Sequence, residues 1–309
     1  MQVWKKLGKI FEVNKNYDWM YSHASCPFVF QIDNNKFRIF FSTRDRRGFS
    51  HGAWIDVDMR QPFKILAISE RPIIVPDEPG YFGDAGIVPF QILKTKNKYF
   101  MYYSGWTLKK TVPFDFYIGL AISTDNFDNF KKYSNVPILD RTHEEPFLIG
   151  APWVIFEDYI YKMWYISGDK WEICFENNLK HYYSIKYAES KDGIYWYKRG
   201  IKCIKYENEF EYAFARPMVI HEKCVYKMWY SFRAQKDIDT YRIGYAESND
   251  GINWTRKDDE VGMDVSETGW DSEMICYPFI FDHKGKRYML YNGNGYGKTG
   301  FGLAVLEEE

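Results

Sequence analysis

Five repeats of one strand pattern divide the sequence, and this repetition constrains the fold more than any other feature. Each repeat has a proline within an apolar segment, then a polar turn, then a second apolar segment rich in aromatic residues. Successive prolines are 62, 63, 65 and 61 residues apart, at Pro27, Pro89, Pro152, Pro217 and Pro278. Short apolar segments at a fixed period are typical of radially repeated β-sheets.

A third segment with small residues follows each aromatic segment, as at 185–190 and 243–248. Asp-Gly turns at 192–193 and 250–251 then lead into a fourth strand, and we interpret these turns as structural. Four short antiparallel strands in each of five repeats predict an all-β, five-bladed β-propeller. We expect one domain over residues 1–309, with repeats near 14–75, 76–140, 141–205, 206–265 and 266–309 plus 1–13.

The two ends of the chain predict how the ring closes. The fifth repeat stops after its third strand, near Val305, and lacks a fourth. The segment 4–10 resembles 196–201, which forms the fourth strand of the third repeat. We therefore expect the N-terminal strand to pair in the last blade, because this would remove two exposed sheet edges.

Composition excludes several classes of function. The formal net charge is -1, with 41 basic and 42 acidic side chains, which argues against a nucleic-acid binder. Five cysteines without metal-ligand spacing predict no disulfide framework, no metal and no cofactor. No apolar run approaches the roughly 18 residues of a membrane span. We expect a soluble, cytoplasmic protein whose 20% aromatic residues serve strands and a carbohydrate-binding surface.

Candidate catalytic residues stand before the prolines, where the innermost strands begin at the mouth of a propeller funnel. Asp84 and Glu273 both lie five residues before their proline, and Glu211 precedes Pro217. Two carboxylates are what glycoside hydrolysis requires, because one protonates the leaving oxygen and the other activates water or attacks. The alternative is that these carboxylates bond backbone amides between blades.

Candidate binding residues follow the aromatic strands, whose ends return to the same face. Arginines at equivalent positions favour a carboxylate or phosphate ligand, whereas each arginine alone is better explained by an inter-blade ion pair. Trp106 or Trp171 is expected to stack on a sugar ring, and the Gly-rich segment 292–297 is expected to be a tight loop. The predicted binding residues are His23, Arg44, Asp45, Trp106, Asp169, Trp171, Arg216, Arg233 and Asn294.

The repeats, the acidic residues before the first strand and the Met-Trp-Tyr-Ser segments resemble the five-bladed propellers of glycoside hydrolase families 32, 43 and 130 and their uncharacterised relatives. The family 43 pattern implies a carboxylate in each of the first three blades. This chain has His23 in the first blade, and the third offers only Glu144 or Glu145. The family 130 pattern, an acid with phosphate-binding Arg and His groups, is compatible by residue type with Asp84, His23, Arg44 and Arg233.

This resemblance implies a carbohydrate-active enzyme, glycoside hydrolase-like, that cleaves or transfers a glycosyl group, in the setting of bacterial surface-polysaccharide metabolism. One alternative is a phosphorylase, in which phosphate replaces water as the attacking species. Another is a non-catalytic propeller that binds a saccharide or nucleotide sugar. In each case the expected partner is a saccharide, sugar phosphate or nucleotide sugar.

Overall fold

The computed structural model describes residues 1–124, 127, 129–173, 179–233 and 240–308, and it is almost entirely β-structure. Cys174, one of the five cysteines, lies outside the described residues. The strands are β1 (Val3–Phe11), β2 (Ser22–Gln31), β3 (Lys36–Arg44), β4 (Ser50–Asp58), β5 (Gln61–Ile68), β6 (Gly86–Lys94), β7 (Tyr99–Leu108), β8 (Phe114–Ser123), β9 (Lys131–Lys132), β10 (Ile149–Glu157), β11 (Ile160–Ile173), β12 (Leu179–Ser190), β13 (Tyr197–Lys202), β14 (Ala213–Glu222), β15 (Val225–Arg233), β16 (Arg242–Ser248), β17 (Thr255–Arg256), β18 (Cys276–His283), β19 (Lys286–Asn292) and β20 (Phe301–Glu308). A 3₁₀ turn at Asp258–Glu260 and a helical turn at Asn294–Gly297 are the helical elements of the described ranges.

The described strands fall into five successive units of antiparallel strands. The units are β2–β5, β6–β9, β10–β13, β14–β17, and β18–β20 together with β1. Units one and two form one eight-stranded sheet, joined where Ser50 lies opposite Gly86 in parallel. Units three and four are joined in the same way through Tyr183 and Ala213. The prediction of an all-β chain with repeated four-stranded units is therefore confirmed.

Each unit contacts the next along the chain, and the fifth contacts the first through β18 and β2. A polar side chain of the second strand repeats at these junctions. Ser104 Oγ accepts a hydrogen bond from the N–H of Ala151, and Ser231 Oγ accepts one from Tyr277, both at 2.8 Å. In the fifth unit Asn292 Oδ1 accepts the N–H of Cys26 at 2.8 Å, which ties the last unit to the first.

The N-terminal strand β1 completes the fifth unit, as predicted. It runs antiparallel to β20, with Trp4 opposite Leu306 and Phe11 opposite Phe301. Trp4 is 6% exposed, and its indole N–H donates to Gln2 Oε1 at 2.9 Å. The indole of Trp229, in the fourth unit, donates to the same oxygen at 3.0 Å. The strand is therefore tied to two units.

The core is built largely from aromatic residues of the second strand in each unit. Tyr102, Trp164, Trp229, Tyr230 and Tyr291 are fully buried. Large side chains that pack between sheets contribute more burial than aliphatic ones, which accounts for much of the high aromatic content.

The two Asp-Gly turns hold adjacent units together. The hydroxyl of Tyr102 donates to the carbonyl of Gly193 at 2.9 Å, and the indole of Trp164 donates to the carbonyl of Gly251 at 2.8 Å. Gly193 has a φ of 76°, which favours glycine. These contacts agree with the prediction that the Asp-Gly turns have a structural role.

A bulge at the repeat proline determines what points inward. In four units the residue just before the proline has a positive φ, namely Cys26 (55°), Ala151 (46°), Arg216 (52°) and Tyr277 (56°). The strand register shifts at each of these points. Such bulges redirect a side chain, and a β-branched residue tolerates positive φ poorly. The second unit has Val88 here, and Val88 is not among the positive-φ residues.

Candidate functional site

A cavity of about 330 Å³ lies where the five units meet. The residues immediately before the five prolines, one from each unit, all line it: Cys26, Val88, Ala151, Arg216 and Tyr277. A cavity of this size is at the lower end of the roughly 300–1,000 Å³ of small-molecule sites. The repeated bulge thus brings residues about 60 positions apart in sequence to one centre.

Aromatic side chains form one wall of the cavity. Trp106, Phe114 and Phe116 line it. Trp106 packs so closely over Gly86 that a Cβ atom added at Gly86 would lie 2.3 Å from the indole nitrogen. The predicted stacking residue Trp171 lies behind this wall, with its ring 5.6 Å from Phe114. Trp106 is therefore the better placed of the two tryptophans to meet a sugar ring.

Among the described residues, three arginines line the cavity: Arg44, Arg216 and Arg233. Arg216 is 1% exposed and donates from Nη2 to the carbonyl of Pro27 at 2.9 Å. Arg233 donates to the hydroxyls of Tyr212 and Tyr296. Arg44, Trp106 and Arg233 each lie five residues after the equivalent strand residues Ile39, Met101 and Met228, and all three line the cavity.

Burial keeps three titratable side chains in or beside the cavity neutral at pH 7. Burial raises the pKa of the Cys26 thiol to about 11. Burial, together with the Arg233 guanidinium, lowers the pKa of His181 to about 4. Burial and the charges of Arg44 and Lys298 likewise lower the pKa of His23 to about 4, beside the cavity. The charge of the described lining is thus set by its arginines.

No Asp or Glu among the described residues lines the cavity. Glu211, predicted to be catalytic, is 4% exposed and forms a two-pronged ion pair with Arg256 at 2.7 and 2.8 Å. It also accepts the N–H of Glu207 at 2.7 Å. Both carboxylate oxygens are engaged, so the contacts of Glu211 correspond to the alternative of a structural tie.

Asp84 and Glu273 are also outside the cavity lining. Asp84 accepts the N–H of Gly80 at 3.0 Å within its own loop. Glu273 is exposed, and its N–H donates to Asn294 Oδ1 at 2.9 Å. Both residues lie in loops ahead of β6 and β18, where the distance from the proline no longer fixes the direction of a side chain. The geometry does not support their catalytic assignment, and Asn294 ties its loop instead of lining the cavity.

Asp45 and Asp169 hold local structure. Asp45 accepts the N–H groups of Arg47 and Phe49, both at 2.9 Å. Asp169 accepts the hydroxyl of Tyr206 at 3.0 Å and pairs with Lys202 at 2.8 Å. Neither lines the cavity, and each has its carboxylate engaged by neighbouring groups.

Several lining residues are absent from the predicted site residues: Ser25, Cys26, Ser42, His181, Tyr183, Tyr241, Tyr277 and Tyr296. The position just before the repeat proline would have identified Cys26 and Tyr277. His181 and Tyr183 come from the long β11–β12 hairpin, and Tyr296 comes from the Gly-rich segment that the sequence predicts to be a tight loop. No comparable sequence signal marks these three residues.

Metal centres and membrane spans are two further features that would bear on function. Among the described residues, no three His, Cys, Asp or Glu side chains are grouped so as to hold a metal ion. No helix in the same ranges has the length and apolar character needed to cross a bilayer.

The fold is that of known glycoside hydrolases. The BT0996 RGII complex has a TM-score of 0.74 at 16% identity, covering 99% of this chain and 92% of the other. A glycosyl hydrolase from Bacteroides ovatus gives 0.72 at 14% identity, covering 96% and 90%. A thermostable family-43 glycoside hydrolase gives 0.62 at 15%, covering 94% and 90%. The resemblance to glycosidases is thus confirmed at the level of the fold.

Sequence comparison gives closer relatives. No family model matches the chain. Two uncharacterised proteins of Mycobacterium tuberculosis, MT1551 of strain CDC 1551 and Rv1502 of strain H37Rv, are 40% identical over 305 residues, which is 99% of this chain and 99% of each relative. The chain therefore belongs to the same family as these two mycobacterial proteins.

Proposed function

We propose that the protein takes a saccharide into the cavity and cleaves or transfers a glycosyl group there. The observation that carries this proposal is the composition of the lining, which combines Trp106 and neighbouring phenylalanines with arginine, serine and tyrosine groups. Sugars present apolar C–H faces and polar edges, and a site with one aromatic wall and convergent polar groups matches both. The structural similarity to the BT0996 RGII complex supports a saccharide ligand.

The proposal includes one architecture for the whole chain. The five units would be the blades of a single five-bladed propeller over residues 1–309, with the cavity on its axis. The contact between β18 and β2 and the bond from Asn292 to Cys26 support a closed ring. Expected settings are the cytoplasm and bacterial surface-polysaccharide metabolism.

A non-catalytic saccharide- or nucleotide-sugar-binding role is the second candidate. It is favoured by the lack of a carboxylate in the described lining, because glycoside hydrolysis commonly uses two. For glycosyl chemistry, the described lining offers His181 as a neutral base and the hydroxyls of Tyr183 and Tyr241 as proton donors. Phosphorolysis would use the arginines to hold phosphate.

Turnover measured on a panel of aryl glycosides and natural oligosaccharides, with and without inorganic phosphate, separates these candidates. Hydrolysis predicts release of free sugar without phosphate, and phosphorolysis predicts a sugar phosphate only when phosphate is present. Saccharide binding without turnover in either condition identifies the binding role. Trp106→Ala should weaken sugar binding at least tenfold, whereas Trp171→Ala, behind the wall, should have a smaller effect. The absence of both binding and turnover across the panel would refute the proposal.

A further inference from the structure

Arg216 is a buried cation whose bonding is incomplete. Its side chain is 1% exposed, and Nη2 donates to the carbonyl of Pro27. Within the described chain, no oxygen or nitrogen atom accepts a hydrogen bond from its Nε or Nη1, and the neutral thiol of Cys26, a weak acceptor, lies beside the guanidinium. Burial lowers the pKa of this guanidinium, yet arginine stays charged in proteins. A buried charge with unsatisfied donors is strongly unfavourable unless a ligand completes it.

Arg44 adds a second positive charge to the same place. It lines the same cavity and makes no side-chain hydrogen bond or ion pair to any residue that the structure describes. Both arginines line this cavity together with Cys26 and Tyr277. Neither group is a carboxylate, and the thiol stays protonated at neutral pH. The protein thus brings together two like charges without a described counter-charge.

The N–H groups of the two guanidiniums indicate which chemical class of ligand they bind. A guanidinium presents N–H groups in a planar fork, which matches the two oxygens of a carboxylate or a phosphate. Trp106 lines the same cavity as both arginines, so one molecule can contact all three. We propose that the ligand of this cavity is a saccharide bearing an oxyanion, carboxylate or phosphate, which binds between Arg216 and Arg44. This inference rests on the proposed function for the saccharide part alone.

Calorimetric titration of the full-length protein tests the inference with four probes: glucose, glucuronic acid, glucose 6-phosphate and inorganic phosphate. We expect one or both charged sugars to bind at least tenfold more tightly than glucose. Preference for glucuronic acid would identify a carboxylate ligand, and preference for glucose 6-phosphate would identify a phosphate ligand. Equal affinity for glucose and both charged sugars, or no binding of any anionic probe, would overturn the inference.

Arg216→Met and Arg44→Met keep side-chain length while removing charge, and each should weaken the charged sugar at least tenfold. Arg46→Met is the matched control, because Arg46 is exposed, pairs with Asp18 and lies outside the cavity lining. Unchanged affinity in both cavity variants would overturn the inference.

If a variant does not fold, the wild-type protein still gives an answer. Inorganic phosphate should raise its melting temperature more than chloride does at matched ionic strength, and equal effects of the two salts would contradict an oxyanion site. The outcomes also separate the two proposals. If neutral and charged sugars bind equally well, only the claim that the ligand carries an anionic group is refuted. If phosphate binds and no sugar binds, only the claim that the ligand is a saccharide is refuted.

Discussion

Burial sets the protonation of the side chains around the cavity. His181 stacks on Tyr183 with ring centroids 5.3 Å apart, and its pKa falls to about 4 through burial and the nearby Arg233. At neutral pH this histidine is uncharged, so it is available to accept a proton and contributes no positive charge to the cavity. This matters for the proposed ligand, because the positive charge then comes from the arginines over the whole neutral pH range.

The lowered pKa of His181 predicts how stability depends on pH. The folded pKa is about 4 and the unfolded value is 6.5, so the unfolded chain binds more protons between these values. Stability is complete above pH 6.5 and falls as pH drops through this window, by on the order of 1 kcal/mol at pH 5 after allowing for partial exposure. Urea unfolding at pH 7 and pH 5 should show a smaller difference for His181→Gln than for wild type. His143→Gln, at an exposed site, is the control. If the stability difference between pH 7 and pH 5 is as large in His181→Gln as in wild type, His181 is not the source of this pH dependence.

Glu211 offers a second test at this scale, because the sequence predicts it to be catalytic and the structure places it in an ion pair. Glu211→Gln breaks the buried pair with Arg256 and should lower the free energy of unfolding by about 3–5 kcal/mol. Ligand affinity per folded molecule should be retained. Glu209→Gln, at an exposed neighbour, should be nearly neutral in unfolding experiments. Unchanged stability with turnover reduced a hundredfold would restore the catalytic role of Glu211.

Among the elements of the fold, the two short Asp-Gly turns connect adjacent units. Each supplies a carbonyl that accepts a hydrogen bond from a buried aromatic residue of the preceding unit. The aspartate stabilises the turn by accepting backbone N–H groups, as Asp192 Oδ1 does from Ile194 and Tyr195 at 2.9 Å. A two-residue turn is therefore a junction between units as well as a local reversal of the chain.

Gly193 and Gly285 provide a matched pair for this claim. Both have positive φ, 76° and 74°, but a Cβ atom at Gly193 would lie 2.7 Å from the Tyr102 hydroxyl, whereas one at Gly285 would meet nothing within 4 Å. Gly285→Ala should cost about 1–2 kcal/mol of unfolding free energy from backbone strain. Gly193→Ala should cost about 1–3 kcal/mol more, because it also displaces Tyr102. Equal losses in urea unfolding would show that the turn does not act as a junction.

How far the sequence predicts these elements depends on whether the strand register repeats. The proline period predicts the units, and counting along the second strands correctly aligns Arg44 with Arg233. The count does not reach Asp169, because five residues after Met163 is Gly168, and Asp169 is the extra residue of a bulge in which Gly168 lies opposite Tyr183 and Lys170 opposite Tyr182. A one-residue shift turns a side chain to the other face.

Loop residues escape prediction for a different reason. Asp84 and Glu273 precede their strands, and Tyr296 lies in a helical turn. Their directions depend on loop conformation and packing, which neither periodicity nor residue type encodes. The repeat therefore predicts the scaffold and the strand-borne part of the site but not the loop-borne part.

In the whole molecule, the N-terminal strand determines whether the fifth unit is complete. Val3–Phe11 supplies the outer strand beside β20, and the N–H of Gln2 donates to the carbonyl of Glu260 at 2.9 Å. Without this strand, β20 would expose an unpaired edge between the two ends of the chain.

Trp4→Ala tests the role of this strand. Trp4 is 6% exposed, so its truncation should lower the free energy of unfolding by about 3–5 kcal/mol and raise amide exchange along β20. Val3→Ala changes an exposed side chain of the same strand and should cost little. Similar, small losses for both variants in urea unfolding would contradict the role of β1 in holding the fifth unit.

The most direct test of the central claim, that this cavity holds a saccharide, is a crystal structure of the protein soaked with the tightest-binding sugar from the titrations. The account predicts a sugar ring against Trp106, with an oxygen of the ligand about 2.7–3.2 Å from the unsatisfied nitrogens of Arg216. An ordered sugar bound elsewhere, with the arginine-lined cavity containing only solvent, would contradict it.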